Sequence, residues 1–147
     1  MLKSILVAAD ASPSSNRAID LAAHLAGADG AKLHILYVIR DMQLPAELMQ
    51  MAEVEKIASD RDGVMRFVAD KVLGEARKRA SQQGTDNVET AVGNGDPASV
   101  IIEHAEKSAA DLVVMGTRGL GKVKSMLMGS VSRKVTNLCD VSCLIVR

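Results

Sequence analysis

Aromatic side chains are almost absent from this sequence of 147 residues, which contains one Tyr, one Phe and no Trp. Proteins that bind single-stranded nucleic acid usually stack bases on aromatic rings, and proteins that bind duplexes usually carry an excess of basic charge. Here 18 Lys and Arg residues balance 18 Asp and Glu residues, so the formal net charge is zero. We therefore predict no nucleic-acid partner, and a core built from Ala, Val, Leu, Ile and the eight Met.

Long apolar segments are also missing. A membrane-spanning helix needs about 20 consecutive apolar residues, and no stretch of the sequence qualifies. The first apolar run, at 4–9, ends at Asp10 and is too short for the apolar region of a signal peptide. We therefore expect a cytoplasmic protein that does not enter a membrane.

Cysteine is scarce, with only Cys139 and Cys143. Their C-x3-C spacing matches neither the C-x-x-C of redox proteins nor a half-site for zinc. We expect both thiols to be buried or partly buried, because cysteine packs as a small apolar residue.

The rest of the composition is that of an ordinary globular protein, with 48% apolar and 24% charged residues. A chain of this length can bury roughly 70% of the surface that its unfolded form exposes. We therefore predict one domain that spans residues 1–147.

Short apolar runs alternate with helical patterns along the chain. Such runs are typical of strands buried on both faces of a parallel sheet, and pairs of an N-cap with a proline indicate helices that begin at Ser12-Pro13 and Asp96-Pro97. This alternation predicts an α/β fold, a single-domain doubly wound parallel sheet with helices on both faces. The predicted strands are 4–9, 32–39, 88–92, 112–115 and 142–146, and the predicted helices are 13 to about 27–30, about 62–83, one that begins at 97, and about 130–138.

Two helical patterns differ in strength. A weak one begins at Pro45 and passes through Met49 and Ala52, in a connection whose role is not evident from the sequence. The pattern at 62–83 is strong, because apolar residues recur at helical spacing. We expect its buried face to contain Val64, Phe67, Val68, Val72, Leu73 and Ala76.

The strongest functional signal lies between the fourth predicted strand and the last helix. Gly116 and Gly119 are followed, after nine residues, by Gly129 and Ser130. Glycines let the backbone approach a phosphate closely, and the amides at the start of a helix favour an anion. A plain flexible loop is the alternative, and the cations Arg118, Lys122 and Lys124 favour the anion site.

A second glycine motif, at 93–98, fits the G-x-G-x-x-A form of the dinucleotide-binding fingerprint. A lone match of this kind is weak. Gly93 and Gly95 are explained as turn residues, Asp96 as an N-cap and Pro97 as the first residue of a helix. We therefore interpret the motif as a turn before a helix.

The spacing G-x2-G-x9-G-[ST] resembles the signature of the ATP-binding branch of the universal stress protein family, and the order of elements is similar over essentially the whole chain. The opening strand that ends in Asp10, followed by Ser12, and the GSVSRKV run at the start of the last helix also resemble the family. This resemblance implies a five-stranded sheet of order 3-2-1-4-5 with a Rossmann-like, adenine nucleotide alpha hydrolase-like fold.

The same resemblance implies a site for ATP, with Mg²⁺ as a companion of the nucleotide. The glycine signature would line the ribose and phosphates, Val38 would hold adenine by its main chain, and Asp10 would face the nucleotide. From its position alone, Asp10 could instead cap the turn that follows the first strand. The implied site residues are Ala9, Asp10, Val38, Met115, Gly116, Arg118, Gly119, Met128, Gly129, Ser130 and Val131.

The resemblance also implies a homodimer and a role in stress response. The last strand, within 141–147, would be an open apolar edge able to pair with a second copy. A slow ATPase or a nucleotide-dependent transferase is the alternative function. At most weak hydrolysis is expected, because no general base or cation-and-metal arrangement for fast phosphoryl transfer is evident. A scaffold that binds no nucleotide is a third possibility, and the intact glycine signature argues against it.

Overall fold

The computed structural model describes residues 1–117 and 128–147. Five parallel strands form one sheet in the order β3-β2-β1-β4-β5, which confirms the predicted fold class and strand order. The strands are β1 (Ser4–Ala9), β2 (Lys32–Ile39), β3 (Val88–Asn94), β4 (Leu112–Gly116) and β5 (Ser142–Val146), and the helices are α1 (Pro13–Asp29), α2 (Ala46–Val54), α3 (Arg61–Gln82), α4 (Pro97–Lys107) and α5 (Ser130–Leu138).

β1 lies at the centre of the sheet. It pairs with β2 from Ser4↔Lys32 to Ala9↔Tyr37, and with β4 from Ile5↔Leu112 to Val7↔Val114. Its residues 5–7 are fully buried, which explains why the strand reads as a continuous apolar run instead of an alternating one.

Two hydrophobic cores cover the two faces of the sheet. Small residues of α1, such as Ala18 and Ala22, pack with Leu73 and Ala76 of α3 on one face. Ile101 of α4 and Val135 of α5 pack on the other face. α2 packs against α3 and buries only Ala52.

The sequence prediction differs from the structure in the exact ends of two strands. β3 continues to Asn94 and β4 continues to Gly116. The glycines at these ends read as loop residues, but Gly93 pairs with Val38 and Gly116 pairs with Val146. Pairing with a neighbouring strand therefore extends both strands beyond their apolar runs.

The predicted buried face of α3 is partly wrong. Phe67 is 40% exposed, whereas the buried positions of the helix are Met65, Ala69, Leu73, Ala76 and Ala80. The face is set by close packing of α3 against the alanine-rich α1, which favours small side chains at the contact.

The strand order reverses at β1, and this reversal positions the candidate site. The chain leaves β1 into α1, on one face, and leaves β4 into the connection to α5, on the other face. A crevice therefore opens beyond the carboxyl ends of these strands, where open α/β sheets usually bind ligands. Over the described residues, no helix is long and apolar enough to cross a bilayer.

Candidate functional site

A cleft opens at the carboxyl ends of β1, β2 and β4, on the face covered by α4 and α5. Its empty volume, including the solvent at its mouth, is about 550 Å³. Most of its walls are apolar, and its polar groups lie where strands end and helices begin. The lining residues are Ala8, Ala9, Asp10, Ser15, Leu36, Val38, Arg40, Pro97, Ile101, Met115, Gly116 and Val131.

The structure brings together more than half of the site residues implied by the sequence. Ala9, Asp10, Val38, Met115, Gly116 and Val131 all line the cleft. Met128, Gly129 and Ser130 precede Val131 at the start of α5 and are not among the lining residues. Arg118 and Gly119 lie outside the described residues.

Six of the described residues that line the cleft were not identified from the sequence. Leu36 and Arg40 lie at alternate positions of β2 and its extension, two residues on either side of Val38, so the period of two along a strand provides a signal for both. Pro97 and Ile101 come from α4, and only packing brings that helix to the cleft. The remaining two are Ala8 and Ser15.

Asp10 organises the turn between β1 and α1. Its Oδ1 accepts a hydrogen bond from the Ser12 amide at 2.9 Å, and its own amide donates to the Ser15 hydroxyl at 3.0 Å. Ala11, between them, has a φ of 65°, a conformation that is uncommon for residues other than glycine. Asp10 therefore caps this turn, as the alternative interpretation of the sequence proposed, while it also lines the cleft.

Gly116 lies where β4 passes beneath the first turn of α1. A Cβ atom at this position would stand 2.8 Å from the carbonyl carbon of Ser14 and 2.8 Å from the amide nitrogen of Ser15. Real Cβ atoms do not approach backbone atoms so closely. Close packing of strand and helix therefore requires glycine here, apart from any contact with a ligand.

The amino terminus of α5 has no side-chain cap. Its N-cap is Gly129, which forms no side-chain cap hydrogen bond and whose amide donates to the Thr117 carbonyl at 2.5 Å. The Ser132 hydroxyl lies within hydrogen-bond distance of the Thr117 carbonyl at 3.2 Å and of the Gly129 carbonyl at 3.1 Å. The amides of the first turn and the helix dipole therefore favour an anion at this end.

α4 begins nearby and is capped. The Asp96 carboxylate accepts hydrogen bonds from the Ser99 amide at 3.0 Å and the Ser99 hydroxyl at 2.7 Å, and it pairs with Lys134 of α5 at 2.9 Å. These bonds, chiefly the one from the Ser99 hydroxyl and then the one from Lys134, lower the pKa of Asp96 to about 2. The motif at 93–98 thus supplies the cap and the first residue of α4 as predicted, whereas Gly93 belongs to β3 and is not the predicted turn residue.

Metal ligands are sparse in the described part of the chain. No group of three or more His, Cys, Asp or Glu residues there is arranged to hold a metal ion. Among the described residues that line the cleft, Asp10 is the one carboxylate, and one of its oxygens already accepts a hydrogen bond from the Ser12 amide. The described residues therefore do not form a protein-held Mg²⁺ site, and a divalent ion here would depend on ligands from a bound phosphate.

Comparison with known proteins identifies the family. The sequence profile of the universal stress protein family matches residues 1–147. Universal stress protein YxiE of Bacillus subtilis is 36% identical over 149 aligned positions, which cover 100% of both chains. Universal stress protein Rv1636 of Mycobacterium tuberculosis is 36% identical over 146 positions, which cover 98% of this chain and 95% of the relative.

A solved structure agrees with these relatives. The crystal structure of a universal stress protein in complex with cAMP superposes with a TM-score of 0.73 at 30% identity, covering 99% of this chain and 97% of the other. Fold, sequence profile and full-length relatives agree, and the chain therefore belongs to the universal stress protein family.

Proposed function

We propose that this protein binds ATP in the cleft and acts as a nucleotide-dependent regulator in stress response. The observation that supports this most is the geometry of the cleft at the point where the strand order reverses. An apolar part of the cleft, which we call the apolar slot, adjoins the amino terminus of α5, which has no side-chain cap. A purine base fits the first environment, and phosphates fit the second.

The apolar slot suits a base. Its walls are formed by Leu36 and Val38 of β2, Ile101 of α4 and Val131 of α5. The pairing of β1 with β2 ends at Tyr37, so no strand of the described chain pairs with β2 on that side beyond this residue. In our proposal, the backbone at Val38 therefore forms main-chain hydrogen bonds with adenine.

The start of α5 suits phosphates. Each hydrogen bond from a helix amide to a phosphate oxygen contributes about 1.5–3 kcal/mol. Asp96 occupies the corresponding end of α4, whereas Gly129 forms no side-chain cap at α5. We therefore propose that the phosphates of the nucleotide lie at the amino terminus of α5. Mg²⁺ would accompany them as part of the nucleotide.

The family relationship supports an adenine nucleotide as the ligand class. The solved relative that is 30% identical to this chain was crystallised with cAMP. In our proposal ATP is the resident nucleotide, since the glycine signature has the spacing of the ATP-binding branch. The protein would work in the cytoplasm, where ATP is available.

Replacing Gly129 by valine tests the phosphate contact. The φ of −70° and ψ of 165° at Gly129 are accessible to valine, so the fold should persist. The branched side chain would obstruct the first turn of α5. We expect the affinity for ATP, measured by calorimetry, to fall tenfold or more, while the circular dichroism spectrum is unchanged.

Gly74→Val is the matched control for this experiment. Gly74 lies on α3, and a Cβ atom there would meet nothing within 4 Å, so this variant should bind ATP like the wild type. If Gly129→Val also binds ATP like the wild type, phosphates do not contact α5 and the proposed site is wrong.

We also propose a homodimer formed through residues 141–147. β5 is the last strand of the sheet order and pairs with β4, and Val141, Leu144, Ile145 and Val146 are only partly buried. Two copies could pair these edges antiparallel about a two-fold axis. Light scattering at micromolar concentration should then give about twice the monomer mass of 15.6 kDa, and a mass of 15.6 kDa alone would contradict the proposal.

A further inference from the structure

Arg40 stands at the mouth of the cleft, directly after the last residue of β2. Arg40 lines the cleft together with Leu36 and Val38, the residues that precede it at alternate positions. Alternate positions of an extended chain project from one face. Arg40 therefore continues the wall of the apolar slot outward to the solvent.

The Arg40 guanidinium forms no hydrogen bond or ion pair with a described residue. It is also the one cation among the described residues that line the cleft. Burial is the main cause that raises the pKa of the Tyr37 hydroxyl. The Asp10 carboxylate raises this pKa further, and the Arg40 guanidinium lowers it. A cation and a carboxylate therefore border the same rim, and the cation is available to a ligand.

The backbone of Arg40 is fixed even though its side chain is exposed. Arg61, the first residue of α3, donates from Nη2 to the Arg40 carbonyl at 2.9 Å and from Nε to the Met42 carbonyl at 2.7 Å. The Met42 amide also donates to the Arg40 carbonyl at 2.9 Å. A cation on a backbone held in this way loses less entropy when it contacts a ligand.

Arg40 follows β2, on the side of the sheet where we propose the base, and not β4, which leads to the proposed phosphate site at α5. The uncapped helix α5 follows β4, and β1 separates β4 from β2. Arg40 follows β2 and shares the cleft wall with Pro97 of α4. A nucleotide with its phosphates at α5 and its base against Val38 would thus have its base close to this arginine.

We propose that the Arg40 guanidinium stacks on the face of the bound purine base, and that Arg61 positions it by holding the carbonyl oxygens of residues 40 and 42. This inference rests on the proposed function. The guanidinium is planar and weakly hydrated, and it stacks on aromatic rings and bases. Lysine has the same charge but lacks the planar surface.

The test compares Arg40→Met with the wild type for three ligands, adenosine, AMP and ATP, by calorimetry. A contact with the base is common to all three, so we expect each affinity to fall by a similar factor, on the order of tenfold. A contact with phosphate would leave adenosine unaffected and weaken ATP most, and this result would overturn the inference. Equal affinities of Arg40→Met and the wild type would also overturn it.

Two further variants sharpen the result. The affinities of Arg40→Lys should stay close to those of Arg40→Met, because a charge without a planar surface does not stack. A full recovery of affinity with lysine would contradict stacking. Arg66→Met removes an exposed arginine of α3 that does not line the cleft, and it should leave all three affinities unchanged. If the wild type binds none of the ligands, the proposed function itself fails, which is distinct from a failure confined to Arg40.

The positioning role of Arg61 is tested by a double-mutant cycle. Arg61→Met should weaken adenosine binding in the wild-type background and have little further effect in Arg40→Met, because it acts through Arg40. Equal losses in both backgrounds would show a general structural effect and would overturn the positioning role.

Discussion

Replacing Leu36 by alanine is expected to lower the free energy of unfolding by about 2–5 kcal/mol. Leu36 is fully buried in the core between the sheet and the α4 and α5 layer. Truncation removes its transfer free energy and leaves a cavity that the close-packed sheet cannot fill. Urea denaturation monitored by circular dichroism measures the change.

Leu48→Ala is the matched control, since it makes the same substitution at an exposed position. Leu48 lies on α2 and is 49% exposed, so we expect its substitution to change stability by less than about 0.5 kcal/mol. A similar loss of unfolding free energy in the two variants would show that the core does not extend to Leu36. A smaller loss for Leu36→Ala alone would indicate that β2 relaxes into the vacated volume.

Replacing Gly116 by valine is expected to lower the free energy of unfolding by about 3 kcal/mol, at the upper end of the range for overpacking. The added Cβ atom would stand 2.8 Å from backbone atoms of Ser14 and Ser15. Backbone cannot move aside as a flexible side chain can, so β4 and the first turn of α1 would have to separate. Urea denaturation in the absence of nucleotide measures the loss.

Gly74→Val again provides the control, because a Cβ atom on Gly74 has open space around it. We expect this variant to differ from the wild type by less than about 0.5 kcal/mol, since valine and glycine have similar helix propensities. An unchanged stability of Gly116→Val would show that glycine at this position is not required for packing. In that case contact with a nucleotide would be the remaining reason for it.

The sequence indicated much of the candidate site because its glycine spacing resembles a family signature, and this resemblance implied Ala9, Asp10 and Val38 as site residues. Ala9, Asp10 and Val38 stand at or just beyond the ends of apolar runs, and the ends of parallel strands meet at one edge of a sheet. Gly116 shows the limit of this reasoning. Its place in the site was predicted from the glycine spacing, but its contact with α1 has no signature in the chain around it.

Arg40 and Asp96 show the same limit for charged residues. Each follows a predicted strand as an ordinary exposed residue. Asp96 could be recognised as a cap from the proline after it, but its pairing with Lys134 of α5 required the two helices to be adjacent. The fixed backbone of Arg40 likewise depends on Arg61, which belongs to a separate helix.

The sequence by itself determined the order and type of the elements, including strands that end at the same edge of a parallel sheet. Apolar runs, caps and helical spacing depend on neighbours along the chain, so they can be read without the fold. Only the tertiary structure decided which helix wall closes the cleft, which face of α3 is buried, and why Gly116 must be glycine. These features depend on contacts such as those around Leu36 and Ile101, between residues far apart in the chain whose proximity no local pattern records.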